Sequence, residues 1–448
     1  MIPLEYLVLI FFVALGFILV LLNKDKIAIE ILVFTIPFAA HPFTDAKFPI
    51  LLGLNGFLII GIWLAQTIKK NLFHTQSTKW TVISKKVKYL YYFLIGGILL
   101  AFLKSDYSNF NLGRYTPFES IINYSLSILC LILFIKIMVS YRYDFNFQDK
   151  LMAVFILTSF LQFGSFLFNY IGYGHLLPKF LVTSAEFSET YYRFSGLLGD
   201  YELIVDYTMV VIGFASILVV KRKYMFLSIA SITISLLMGI LSGTRSFFVI
   251  ISIYLIIITF LFTIKFHMYQ KIFKFVTIIF SASMLIYYLI QNFIPSYTIF
   301  MRFNKSIEYI REGNITGAVN RNLIEALPIV VRNSGFLGNG SLLIYQIEGD
   351  GMVYHNLYYA IYANFGIIGI IILLSLVISS ILILYKIMKK TNEKRIAQES
   401  VILFALIISL FIQQIKISAT RYVSSILIYA FVFFVVYFCR LKFMKKNE

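Results

Sequence analysis

In the stretch "GMVYHNLYYAIYANFGIIGIIILL", residues 351–374, a histidine and an asparagine, His355 and Asn356, stand just before a long apolar run. An imidazole titrates near neutral pH, so a histidine there suits a general base that takes the proton of a hydroxyl; the bland alternative is a local hydrogen-bonding residue. Arginines form the second group. Arg245 occupies a very short turn, "LSGTRSFF", between two apolar runs, Arg193 lies in "YYRFSGLLGDYELIVDY", and Arg302, Arg311, Arg321 and Arg332 lie in the polar stretch that His355 closes. Guanidiniums that converge bind anions with planar oxygens in forked fashion, phosphate and pyrophosphate above all.

A charge at the junction of two membrane helices is costly unless it faces a polar cavity or a partner, which makes a functional Arg245 the default; the alternative is a side chain that snorkels to headgroups. For Arg193, Arg302 and Arg321 taken singly, a solvated loop charge is an equally good reading, and Arg311 and Arg332 read as solvated. Asp200, Glu202 and Asp206 follow Arg193, and their spacing keeps them from sharing one helical face. Asp206, about a turn deeper than the others, is the one expected to pair with an arginine. The chain has no Walker-type loop, no HExxH, no Cys/His set and no Asp-x-Asp motif, so neither a metal nor a cofactor is expected. Cys130 and Cys439 belong to separate apolar runs, which argues against a disulfide framework.

What must position these residues is a membrane bundle. Of 448 residues, 60% are hydrophobic and 13% charged, and the mean hydropathy of +0.86 lies outside the range of soluble chains. The chain reads as an all-α polytopic integral membrane protein, a single membrane domain over 1–448. Apolar runs long enough to cross a bilayer, or nearly so, fall at 4–22, 27–41, 50–67, 89–103, 119–138, 151–171, 199–220, 225–241, 246–264, 275–292, 356–386, 399–417 and 421–439, giving 12 to 13 helices. Continuous rather than alternating hydrophobicity excludes a barrel.

A net charge of +18 could suggest nucleic acid, but in a polytopic chain the positive-inside rule explains basic residues first. The clusters Lys24/Lys26, Lys69 to Lys88, Arg142/Lys150, Lys221 to Lys223, Lys265 to Lys274, Lys386 to Arg395 and Arg440 to Lys446 all fall in alternate connections. That places the N-terminus outside, the C-terminus in the cytoplasm, and the long connection 293–355 on the outer face. The start, "MIPLEYLVLI", reads as a retained first helix rather than a signal peptide. Within 293–355, Leu323, Leu327 and Val330 recur at helical spacing behind Asn320, so a short amphipathic helix is expected there, with Arg321 in its first turn. Gly335, Gly338 and Gly340 follow as turn positions able to bring backbone amides close to a ligand.

Taken in order, Arg193-Phe-Ser-Gly196, Ser242-Gly243-Thr244-Arg245, Arg321 with "FLGNGS", and His355-Asn356 with "NFGIIGIIILL" resemble the motifs of the bacterial O-antigen polymerase and O-antigen ligase family of membrane glycosyltransferases. The resemblance covers residues 190 to 375. It departs from the family at Ser246, where many relatives carry glycine, and at Asp200-Tyr201-Glu202, where Pro-Asn is common. The resemblance implies a metal-independent transferase in the bacterial cytoplasmic membrane that uses an undecaprenyl-pyrophosphate-linked glycan. Arg245 and Arg321 would stabilise the pyrophosphate, with Arg193, Arg302, Asn356 and Asp206 around the substrate, and His355 would deprotonate the acceptor hydroxyl. A repeat-unit polymerase, with a chain-length regulator as a partner besides membrane lipids, is favoured over a ligase. The contrasting class is a lipid-linked oligosaccharide flippase, for which internal repeats and mid-membrane charges would be expected.

Overall fold

In lipid every backbone polar group has to be satisfied within its own segment, so long apolar runs fold as helices. The computed structural model describes residues 4–38, 53–72, 117–176, 203–266, 356–415 and 423–447, two short hairpins, and single positions between them. Its helices are α1 (Leu4–Leu21), α2 (Asp25–Thr35), α3 (Gly53–Leu72), α4 (Pro117–Val139), α5 (Phe145–Tyr170), α6 (Leu203–Val220), α7 (Met225–Leu241), α8 (Arg245–Phe266), α9 (Leu357–Lys390), α10 (Lys394–Gln413) and α11 (Val423–Asn447). The hairpins pair β1 (Ala185–Ser188) with β2 (Tyr191–Phe194), and β3 (Tyr345–Ile347) with β4 (Asp350–Met352). The chain is thus an all-α polytopic membrane protein.

Among the described residues six helices are long and apolar enough to cross a membrane: Phe145–Tyr170, Leu203–Val220, Arg245–Phe266, Phe365–Lys390, Lys394–Gln413 and Ser425–Lys446. Of the expected runs, 89–103 lies outside the described residues, as does 275–292 apart from a few single positions. Two others differ in form. The run at 27–41 gives the 11-residue α2, about 16 Å long at 1.5 Å per residue, and continues as a turn to Phe38. Asn55 of α3 donates to the carbonyls of Ile36 and Phe38, at 3.0 and 3.3 Å, where α2 gives out. The run at 356–386 is broken at Gly366, so that only its second segment spans.

One contiguous apolar core runs from Val20 to Cys439 and joins α1 to α11. At its centre is α6, apolar on every side and buried along nearly its whole length, the expected state of a helix without a polar face. Leu406 of α10 comes so close to Gly213 of α6 that a methyl group there would overlap it. In contrast, few residues of α8 and of the spanning part of α9 are buried.

The ion pairs given by the described residues link positions that all belong to the basic end of the bundle. Lys26 pairs with Asp144 at 2.6 Å, Lys69 with Asp25 at 2.8 Å, and Lys150 with Glu30 at 2.6 Å. Deeper in, Lys221 bridges Asp149 of α5 at 2.8 Å and Glu399 of α10 at 3.0 Å; Lys223 joins Asp149, and Lys442 of α11 joins Glu399. Lys446 and Glu393 pair at the rim. The link between α6 and α7 holds Arg222 and Tyr224 in the left-handed region, at φ 56° and 50°, a conformation costing each about 1–2 kcal/mol. The lysine anchors on either side of Arg222 over-determine that turn.

Burial alone would lower the Lys221 pKa, but the carboxylates of Glu399 and Asp149 outweigh it and raise the ammonium above its ordinary 10.5. Asp144 moves the other way: the hydrogen bond from Lys26, then the amide of Phe147, hold its carboxyl below 3.8. A raised lysine contributes fully below about pH 10.5 and fails only as pH climbs past its folded value; a depressed aspartate contributes fully above about pH 3.8 and fails in acid. Thermal unfolding in detergent should therefore be flat from about pH 5 to pH 9 as far as these groups decide it. Glu399→Ala, which takes the carboxylate from Lys442 and leaves Lys221 with Asp149 alone, should cost about 3–5 kcal/mol in the same measurement. Lys446→Ala, at an exposed pair, should cost less than about 1 kcal/mol.

Candidate functional site

Of the residues singled out for chemistry, Arg245, Asn356 and Asp206 belong to the end of the bundle away from these ion pairs. α7 leaves the basic end after Tyr224 and crosses to Leu241, where residues 242–244 turn the chain into α8. Ser242 and Thr244 are fully buried. Ser242 Oγ donates to the Gly239 carbonyl at 2.7 Å and accepts from the Thr244 amide at 3.2 Å, while Gly243 takes φ 64°, a value that glycine adopts freely. Phe247 then lies over Gly239, which has no side chain to hinder it. The turn is rigid, and it presents Arg245, half-buried, as the first residue of α8. A cation at the positive end of a helix is electrostatically unfavourable by itself, but a guanidinium beside the free amides of a helix start favours an anion twice over.

Asn356 caps α9. Its Oδ1 accepts from the amides of Tyr358 and Tyr359, at 2.9 and 3.2 Å, and its Nδ2 donates to the carbonyl of Ile415 at 2.8 Å. The Leu357 amide donates to the Gln414 carbonyl at 3.0 Å, and Tyr358 reaches the Phe411 carbonyl at 2.8 Å. The end of α10 thus supplies its orphan carbonyls as the seat on which the start of α9 is built. Both ends of the Asn356 amide are engaged in this seat, so Asn356 positions its neighbours.

Asp206 is buried one turn into α6, and Gln414 Nε2 donates to its Oδ2 at 2.8 Å. Gln414 also donates to the hydroxyl of Tyr429 on α11. An amide thus reaches Asp206 from the end of α10. Gln414 becomes the hub: its side chain holds α6 and α11, and its backbone holds the start of α9.

The glycine-rich turn of the long connection docks on the break in α9. Gly366 has φ 60°, its absent side chain leaves room for the backbone of Phe336 and Gly338, and the Ile367 amide, released from the helix ladder, donates to the Phe336 carbonyl at 3.1 Å. Only glycine combines that φ with that approach. "FLGNGS" and "NFGIIG" are thus brought into contact, with the nine residues Leu357–Phe365 between that contact and the His-Asn turn.

Arg193 lies in β2, in register with Glu186 of β1, and β2 packs against α7, the helix that leads to Arg245. Arg311 is exposed, in line with a solvated charge. His355, Arg302, Arg321 and most of the expected amphipathic helix lie outside the described residues. Among the described residues no group of His, Cys, Asp and Glu is arranged to hold a metal ion.

No protein-family model, no curated protein and no solved structure matches the chain. Its site is therefore read from its own geometry.

Three features escaped the reading of the sequence: the hub at Gln414, the break at Gly366 and the Lys221 bridge. "FIQQIK" did carry a signal, since paired amides at the end of an apolar run seek polar partners. The Gly366 contact is directly testable. Gly366→Ala should expel the Phe336 carbonyl and raise the hydrogen-exchange rate of the Ile367 amide by about tenfold or more, as expected for a lost hydrogen bond of about 1.4 kcal/mol. An unchanged rate would mean that the loop does not hold the break.

Proposed function

We propose that the chain is a polysaccharide repeat-unit polymerase of the bacterial cytoplasmic membrane, a metal-independent glycosyltransferase acting on undecaprenyl-pyrophosphate-linked glycans. The observation that carries the reading is that the Arg245 turn, the Asn356 cap and the Asp206–Gln414 pair all belong to the end of the bundle opposite the paired lysines. The lysine-rich end is assigned to the cytoplasm by the positive-inside rule, which puts these residues on the outer face. The C-terminus is then cytoplasmic and the N-terminus outside.

In this reading Arg245 and Arg321 bind the pyrophosphate, assisted by Arg193 and Arg302. An acceptor hydroxyl oxygen attacks the anomeric carbon, the bond from that carbon to the phosphate oxygen breaks, and undecaprenyl pyrophosphate departs with the bonding pair. The hydroxyl proton passes to an imidazole nitrogen of His355, while the guanidiniums offset the charge on the leaving group. Asn356 fixes the turn from which His355 acts. Membrane lipids surround the bundle, and a chain-length regulator is the expected protein partner.

An O-antigen ligase would use the same site with a lipid or protein acceptor. A flippase needs a polar path through the bundle, and Phe155, Phe214 and Phe431 interrupt one: their rings meet pairwise at 5.1 to 5.7 Å and are fully buried.

The reading is tested by the surface-glycan ladder of a strain lacking the gene and complemented with wild type, His355→Ala or Arg245→Ala at matched protein levels. Both variants should give single repeat units, a loss of polymer of about a hundredfold or more, as for removal of a general base or a charge-stabilising donor. Full-length glycan left unattached would identify a ligase, and normal ladders from both variants would remove these residues from the site.

A further inference from the structure

Outward of the three-phenylalanine layer, the same helices carry polar side chains at a common level. Gln162 lies seven residues beyond Phe155 on α5, Asp206 eight residues before Phe214 on α6, and Gln413 seven residues beyond Leu406, which touches Gly213 of α6. At 1.5 Å per residue each stands about 10–12 Å above the aromatic floor, on the side of the His-Asn turn. A step of seven residues returns to nearly the same helical face, so Gln162 and Gln413 lie on the stripes that pack against α6. Tyr429 and Ser425, one turn apart on α11, complete the level with Gln414.

Asp206, Gln414 and Tyr429 hydrogen-bond to one another, but both amide atoms of Gln162, both of Gln413 and the hydroxyl of Ser425 are buried without a hydrogen-bond partner. Each of these residues is at most 2% exposed, out of reach of bulk water. Unpaired buried amides are strongly unfavourable, and nothing in the packing of the core calls for them, since leucine would fill either position. Such groups are retained where they acquire partners in another state.

We propose that this layer binds the hydroxyl groups of a sugar, the acceptor end of the growing glycan, an assignment that rests on the transferase reading. An amide offers a donor and an acceptor side by side, which matches neighbouring hydroxyls, and the carboxylate of Asp206 accepts from a further one. The chemistry differs from that of the arginines, which suit the phosphates of the donor. The layer is closed in this structure, and a sugar is admitted as the outer end of α5 parts from α6. The unpaired amides make that opening easier, because they gain hydrogen bonds in it. The aromatic floor stops the sugar there, beneath the turn that carries His355.

The test is the melting temperature of the purified full-length protein in lipid nanodiscs, for wild type and for Gln162→Leu/Gln413→Leu, with and without glucose, galactose, rhamnose or N-acetylglucosamine at millimolar concentration. Without sugar the double variant should melt higher than wild type, because two unpaired amides are gone. At least one sugar should raise the melting temperature of wild type and leave that of the variant unchanged. A variant that melts lower, or sugars that shift neither protein or both equally, would overturn the proposal. Its fate is separable from that of the transferase: protection by sugar with ladders indifferent to His355 and Arg245 would keep the layer and reject the chemistry. Ladders that depend on His355 and Arg245 with no sugar protection would do the reverse.

Discussion

Lys221 holds Asp149 of α5 and Glu399 of α10 with one buried ammonium, and Lys442 brings α11 to the same carboxylate. A charge in an apolar bundle is tolerable only with its counter-charge beside it, so these contacts fix the ends of four helices, α6 included, at one level. Everything at the opposite end is positioned from that level. The rigid lengths of α5, α6, α10 and α11 carry it outward, and the residues that emerge together there are decided by how far each helix runs.

At the outer end the same constraint is met by hydrogen bonds. The last carbonyls of α10 would be orphaned; Asn356 and Leu357 take up two of them, and this seats the start of α9 on the helix that Glu399 anchors at its far end. The break at Gly366 works likewise, since a helix that ends leaves an amide unpaired, and the Phe336 carbonyl satisfies it. The long connection is thereby tied to the bundle by backbone chemistry. Between the two ends lies the aromatic layer of Phe155, Phe214 and Phe431, with the lysine ion pairs on one side and the Asp206–Gln414–Tyr429 group on the other.

The membrane bundle was legible in the sequence because its signal, an apolar run, is local and repeated. The apolar runs that became α1, α4, α7 and α8 correspond to observed helices within a few residues, and the alternation of basic clusters agrees with ion pairs between Lys26 and Asp144 and between Lys69 and Asp25. The break in α9 was not legible: Gly366 sits in an unbroken apolar run, and what fixes its left-handed backbone is a contact with residues about thirty positions away. The Gln414 hub was missed for a related reason. Its side chain reaches Asp206, 208 residues away in sequence, a pairing that no local pattern announces. Glycine at 338 and 366 and the shortness of the Arg245 turn were visible as residue types; that the first two meet was not.

The proposed function requires that the outer end of the bundle receive a lipid-linked pyrophosphate at Arg245. The most direct measurement is an electron cryomicroscopy structure of the full-length protein in nanodiscs with undecaprenyl pyrophosphate bound. The account predicts phosphate density within hydrogen-bonding distance of the Arg245 guanidinium, at the start of α8. Density at the Lys221 end instead, or an ordered lipid pyrophosphate that leaves Arg245 uncontacted, would contradict it.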